Sequence, residues 1–238
     1  LTTVRITILT IFPEYFTTPL SLSIPAQAAA AGSVEYRVVD LRDYTHDRHR
    51  TVDDYPYGGG AGMVMKPQPF FEAVEALGCR APIVLLSPRG RTFTQEDARR
   101  FAAGEELTLL CGHYKDVDQR VADHLATEEL SLGNFVLSGG EPAALVIVDA
   151  VARLLPGAMS DHDSARTDSF YAAGDGISAP SYTRPPEYRG LAVPEILLSG
   201  HHERIAQWRK AESERLTRAS AHPNDPSRES PADEDRES

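Results

Sequence analysis

Between residues 4 and 154, apolar runs of strand length alternate with helix-like stretches, and this alternation limits the fold more than any other feature. Runs at 4–11, 34–40, 83–86, 107–110 and 135–137 are rich in Val, Ile, Leu and aromatic residues and read as strands. Between them lie an Ala-rich segment at 23–31 closed by Gly32, a helical stretch at 69–77, and a strongly apolar helix at 142–154 closed by Pro156-Gly157. A further helix starts at Thr94, whose hydroxyl can cap it, with Asp97 in the capping-box position. Strands separated by helices are joined by crossovers, not hairpins. The expected class is therefore α/β with a mostly parallel sheet.

Composition narrows the function. The chain has 238 residues, 41% hydrophobic and 25% charged, enough to bury a real core. No apolar run reaches the roughly 20 residues of a bilayer span, and the first residues lack the pattern of a secretory signal. No membrane role is expected. Cys79 and Cys111 form no CxxC pair, so a disulfide framework or zinc site is not expected, and both read as small core residues. A reducing cytoplasm is the expected location. The net charge is -11, of which -4 sits in residues 221–238, leaving -7 on the body. A protein this acidic does not bind nucleic acid through its overall field, so any RNA contact must use local basic patches.

After residue 159 the pattern changes. Residues 160–175 are polar, small and aperiodic, and read as a linker or lid. Residues 176–220 read as a small helical domain: a Pro-rich stretch, then a helix at 202–219 with Ile205, Trp208 and Leu216 as apolar contacts. Its Arg204, Arg209, Lys210, Arg215 and Arg218 outnumber its glutamates. Trp208 reads as a core residue rather than a base-stacking platform. Residues 221–238, acidic and rich in Pro and Ser, are expected to be disordered.

Three strand-like runs end in small-residue loops: Leu86-Ser87-Pro88-Arg89-Gly90, Cys111-Gly112-His113-Tyr114 and Leu137-Ser138-Gly139-Gly140-Glu141. In open α/β sheets ligands lie at the carboxyl ends of strands, and such loops can hold a purine through main-chain hydrogen bonds. The glycines at 58, 59, 60 and 62 let backbone N–H groups approach a ligand, but they fit no Walker or GxGxxG fingerprint. The histidines at 46, 49, 113, 201 and 202 have no metal-helix spacing and read as solvated or hydrogen-bonded.

In order along the chain stand Phe12-Pro13-Glu14, Leu41-Arg42-Asp43, His49-Arg50-Thr51-Val52-Asp53-Asp54, Pro56-Tyr57-Gly58-Gly59-Gly60-Ala61-Gly62-Met63, the three loops, Tyr182-Thr183-Arg184-Pro185 and Leu198-Ser199-Gly200-His201. This ordered set closely resembles the bacterial tRNA (guanine-N1)-methyltransferases of the SPOUT class, the TrmD family, over roughly residues 6–219. The resemblance implies a deep trefoil knot, an exception to the usual absence of knots. It implies S-adenosylmethionine held in that knot, with residues 1–159 as the methyltransferase domain. It further implies an obligate homodimer with shared active sites, Mg²⁺ assisting the reaction, and a tRNA substrate methylated at the guanosine immediately 3′ of the anticodon, which maintains the reading frame. No other protein partner is implied, and no metal-binding residue is assigned.

By the same resemblance Leu85, Leu86, Ser87, Pro88, Gly112, Leu132, Gly133, Phe135, Leu137, Gly139 and Gly140 line the cofactor site. Gly58, Gly59, Tyr182, Arg184, Ser199 and His201 meet the substrate. Asp168 matches the general base, and Arg153 the arginine that stabilises the reacting guanine. On residues alone, Asp168 reads as a solvated loop carboxylate and Arg153 as a helix C-terminal cation. Three positions depart from the family's usual pattern: Lys115 for glutamate, and Asn134 and Ser178 for aspartate. These departures motivate an alternative, a SPOUT-fold RNA-binding module without catalysis.

The assigned roles suit the chemistry. Guanine N1 carries a proton, so a base must remove it before or during attack on a methyl group. Charge then builds on O6, where a cation stabilises it.

Overall fold

The computed structural model describes residues 3–159, 168–171 and 176–220, in two compact units, Leu1–Ser160 and Asp161–Ser238. The proposed lid at 160–175, apart from 168–171, and the acidic tail at 221–238 lie outside the described residues.

The first unit is built on one five-stranded sheet. Its strands are β1 (Val4–Thr10), β2 (Val34–Asp40), β3 (Ile83–Thr92), β4 (Glu106–Cys111) and β5 (Glu128–Ser131), in the order β2-β1-β4-β3-β5. Every pairing is parallel. The helices α1 (Ser23–Ala30), α2 (Pro67–Leu77), α3 (Gln95–Ala102), α4 (Gln119–His124) and α5 (Glu141–Ala152) cover both faces. Adjacent residues of a strand point to opposite faces, so each central strand feeds two cores. Ile8 and Leu109 join Phe16, Phe101, Ile147 and Val151 on one side. Leu9 and Leu110 join Phe70, Ala73 and Val121 on the other. This double burial is why the sequence reads as nearly continuous apolar runs.

The capping box at the start of α3 forms as the sequence implies. Thr94 Oγ1 accepts from the Asp97 N–H, and Asp97 Oδ2 accepts from the Thr94 N–H at 3.0 Å. Asp97 also pairs with Arg91 and Arg100, and both arginines reach Glu128 on β5. Burial alone would raise the Asp97 carboxyl, but hydrogen bonds from Arg91, Arg100 and Thr94 outweigh it and hold the group well below the usual carboxylate range.

The expected strand at 135–137 does not exist. Phe135, Val136 and Leu137 belong to the connection between β5 and α5 and are 54%, 86% and 40% exposed. The edge strand is Glu128–Ser131, where only Leu130 is buried. Its glutamates face arginines instead of core, which removes the apolar signature a strand usually carries. β3 in turn runs beyond the expected 83–86. Leu86 and Arg91 both pair with Leu130, so residues 87–90 bulge outward. A Cβ at Gly90 would lie 2.5 Å from the Glu129 carbonyl carbon, so only glycine fits there. Cys111 is fully buried, as read; Cys79 is only half-buried.

A small second sheet joins Asp53–Asp54, Val64–Met65 and Asp116–Val117. It ties the two ends of the glycine loop together and fixes the second to the chain leaving β4. None of these two-residue strands carries a readable period.

In the second unit, an antiparallel hairpin (Glu187–Tyr188 with Leu191–Ala192) turns through Arg189 and Gly190, both at positive φ. The short helix Glu195–Leu198 and then α6 (His202–Ser220) follow. Ser213 Oγ donates to the Ile177 carbonyl at 2.6 Å, and the Ile177 N–H donates to Thr217 Oγ1 at 2.8 Å. No described residue of this unit is buried. Trp208 is half-buried, with its ring 6.4 Å from that of Tyr182, so it is a surface contact and not a core residue. Among the described residues, no helix is long and apolar enough to cross a membrane.

Candidate functional site

One cavity opens at the carboxyl ends of β3, β4 and β5, where an open parallel sheet places ligands. β3 contributes Leu85, Leu86, Ser87 and Pro88, and the exit of β4 contributes Gly112. The β5–α5 connection contributes Leu132, Phe135, Leu137, Gly139 and Gly140. The eleventh residue of the expected set, Gly133, does not line it. Its φ of +147° lets the Phe135 ring fold back against it, 3.0 Å from where a Cβ would sit.

Backbones meet closely at the cavity floor. The Gly140 N–H donates to the Gly112 carbonyl at 2.8 Å, and a Cβ on Gly140 would lie 2.8 Å from Cys111 Cα. The connection therefore returns from the sheet edge to the end of the central strand β4 only because Gly140 lacks a side chain. The wall is apolar and uncharged on one side, through Leu86, Leu132, Phe135, Leu137 and Ala143. That surface suits a flat heteroaromatic ring. The lining also carries charged groups: Arg89, forked onto Asp116 at 2.9 and 3.2 Å, and Lys115.

A buried polar chain stands behind His113, which also lines the cavity. The Phe12 N–H donates to Thr10 Oγ1 at 2.9 Å, and Thr10 Oγ1 donates to Glu141 Oε1 at 2.7 Å. Glu141 is 2% exposed. Its other oxygen lies 3.7 Å from His113 Nδ1, which is buried and makes no hydrogen bond. The His113 ring stands edge-on to Phe12 and Tyr114. Sequence reading took His113 as solvated or hydrogen-bonded and did not single out Glu141. Nothing in their spacing links residues 113 and 141; only the β5–α5 crossover does. Burial, and then the Glu141 charge, push the Cys111 thiol up, so it stays a neutral core group.

The sequence profile described as tRNA (Guanine-1)-methyltransferase TrmD matches residues 4–223. The chain belongs to this family. It is similar to the tRNA (guanine-N(1)-)-methyltransferase of Dehalococcoides mccartyi strain 195, at 51% identity over 217 residues, 90% of this chain and 87% of that one. The protein of the same name from Geobacillus kaustophilus is 50% identical over 216 residues, 90% and 88% of the two chains. That from Gloeobacter violaceus is 51% identical over 217 residues, 90% and 94%.

The other residues expected of a tRNA (guanine-1)-methyltransferase are spread over both units. Arg153 is the C-cap of α5, whereas the cavity is lined by Gly140 and Ala143 at the opposite end. The 12 residues of that helix span about 18 Å, so Arg153 does not reach the cavity of its own chain. It borders a shallow depression with Gln95, Val146 and Asp149. Asp168 belongs to the second unit, where it lines a groove with Tyr182, Arg184, Arg209 and Lys210. Ser199 and His201 do not line that groove. The Ser199 hydroxyl donates to the Ile196 carbonyl and accepts from the His201 N–H, closing the short helix. Gly58 and Gly59 have φ of +82° and +81°, with open space around them. Among the described residues no group of three or more His, Cys, Asp or Glu is placed to hold a metal ion.

Proposed function

We propose that the protein methylates N1 of the guanosine immediately 3′ of the anticodon in tRNA, with S-adenosylmethionine as donor, and so maintains the reading frame. What carries this reading is the cavity at the strand ends in a chain of this family: an apolar slot for a purine, with charged groups in the lining for an amino acid. The donor supplies a methyl group on a sulfonium, so no covalent enzyme intermediate is needed.

The chain's own groups do the rest. Leu86, Leu132, Phe135 and Leu137 sandwich the adenine and exclude water. Asp168 takes the N1 proton, and Arg153 stabilises the charge that builds on O6. Residues 1–159 bind the donor, 160–175 close over it, and 176–220 engage tRNA through Arg184 and the basic face of α6, with Gly58, Gly59, Tyr182, Ser199 and His201 also meeting the substrate. Mg²⁺ assists the reaction.

Two further properties belong to this proposal. The active enzyme is a homodimer, supported by Arg153 standing a helix length from its own chain's cavity; a second copy can bring it to the reacting base. The sheet carries a deep trefoil knot, supported by the passage of residues 132–140 across the ends of β3 and β4.

The test is methyl transfer to tRNA transcripts carrying guanosine or adenosine beside the anticodon, with the modified atom mapped. Transfer to guanosine N1 alone is expected. Transfer to another atom, or equal transfer to both transcripts, refutes the assignment.

A further inference from the structure

We propose that Lys115 and the Glu141-backed His113 form a two-point clamp for a zwitterionic amino-acid group. Lys115 takes its carboxylate and His113 its ammonium. The inference rests on the methyl-donor reading of the cavity and deepens it, by naming what sets ligand selectivity at the amino-acid end.

Lys115 lines the cavity, and its placement is built. Its stem lies against Gly62, 3.3 Å from where a Cβ would sit, and its Nζ lies 3.3 Å from the Cβ position of Gly60. The two glycines leave the space that the lysine fills. The neighbouring Arg89 is occupied by Asp116, whereas Lys115 has no carboxylate partner among the described residues. An unpaired cation at a cavity wall suits an anionic oxygen.

His113 offers the complementary group. Glu141 is a carboxylate 2% exposed, held through one oxygen by Thr10. Its second oxygen faces His113 Nδ1 at 3.7 Å, a small ring rotation short of a hydrogen bond. A side chain on Gly139 would overlap both atoms, so glycine at 139 keeps the pair together. Nδ1 is the buried edge of a ring that is 24% exposed and lines the cavity. With Nδ1–H given to Glu141, Nε2 is left as an acceptor. An ammonium is the donor that gains most there, because the buried carboxylate stands directly behind the ring. Glu141 is thus a positioning residue and His113 a binding residue. Only Tyr114, at φ +61°, separates His113 from Lys115 in sequence.

The experiment is calorimetry with four ligands: S-adenosylhomocysteine, its analogue without the carboxylate, its analogue without the amine, and 5′-methylthioadenosine, which lacks the whole amino-acid end. The wild type should prefer S-adenosylhomocysteine over 5′-methylthioadenosine by about 100-fold. Lys115→Met should weaken S-adenosylhomocysteine about tenfold and leave the decarboxylated analogue unchanged. His113→Leu and Glu141→Gln should each weaken S-adenosylhomocysteine about tenfold and leave the deaminated analogue unchanged. Lys115 is exposed, so its variant keeps the test readable if a buried change disturbs folding. Equal losses on all four ligands, no loss on any, or a wild type indifferent to the amino-acid end would overturn the clamp while leaving the donor site intact. A wild type that binds none of the four overturns the donor reading as well.

Discussion

The two units solve stability in opposite ways. The first buries both faces of its sheet and all of the large core side chains, while the second buries no described residue and is held by hydrogen bonds such as Ser213 to Ile177. Apolar burial contributes roughly 25 cal/mol per Å², so the first unit can shape a cavity by itself. The second lacks that source of rigidity, and a partner that covers its groove would supply it. A unit with little core of its own suits a segment that settles on a large substrate.

The sharpest way to break this division is Asp168→Ala. If the second unit supplies chemistry and the first supplies binding, methyl transfer should fall by at least about 10³-fold while S-adenosylhomocysteine affinity stays within about twofold. Single-turnover assays and calorimetry on one preparation decide it; wild-type turnover removes Asp168 as the base.

Next in size is a paired truncation. Leu109→Ala, in the doubly covered centre of β4, should cost about 3 kcal/mol. Ile205→Ala on α6 should cost less than about 1 kcal/mol. Denaturant melts of the two variants measure the contrast, and equal losses would mean that the second unit is better packed than its exposure implies.

Smallest is Asp97→Asn, which removes the carboxylate shared by Arg91, Arg100 and the Thr94 cap. Both arginines are about half exposed, 51% and 46%, so the loss at pH 7 should be about 2 kcal/mol rather than the full cost of breaking a buried pair. The Asp97 pKa is depressed in the fold, so its stabilisation is present above the unfolded value of about 3.9 and lost as pH falls through the lower folded value. The gap between wild type and variant should therefore narrow in acid melts below about pH 4.

Much of this was readable from the residues. β1, β2, β4, α5 and the capping box all follow from apolar runs and cap chemistry, because central parallel strands and their helices carry strong local signals. The edge was not readable. Glu128–Ser131 spends its glutamates on arginines of β3 and α3, whereas the apolar Phe135-Val136-Leu137 run imitates a strand while forming cavity wall. Ten of eleven residues expected at the cofactor site do converge on one cavity. The His113–Glu141 pair was invisible because a crossover joins the two residues and no motif does. Arg153 and Asp168 are assigned through family likeness alone, and no local pattern marks either one.

The strand order β2-β1-β4-β3-β5 has a consequence for biosynthesis. No two neighbours in that sheet form a hairpin, and Arg5 meets Glu106 across 101 positions of chain. On the ribosome, β1 and β2 must wait, one flank unzipped, until β4 has emerged and slotted between β1 and β3. Such high contact order makes maturation slow and leaves nascent edges open to wrong partners. The cavity, whose floor needs Gly140 seated on Cys111, can exist only after the β5–α5 connection has left the exit tunnel.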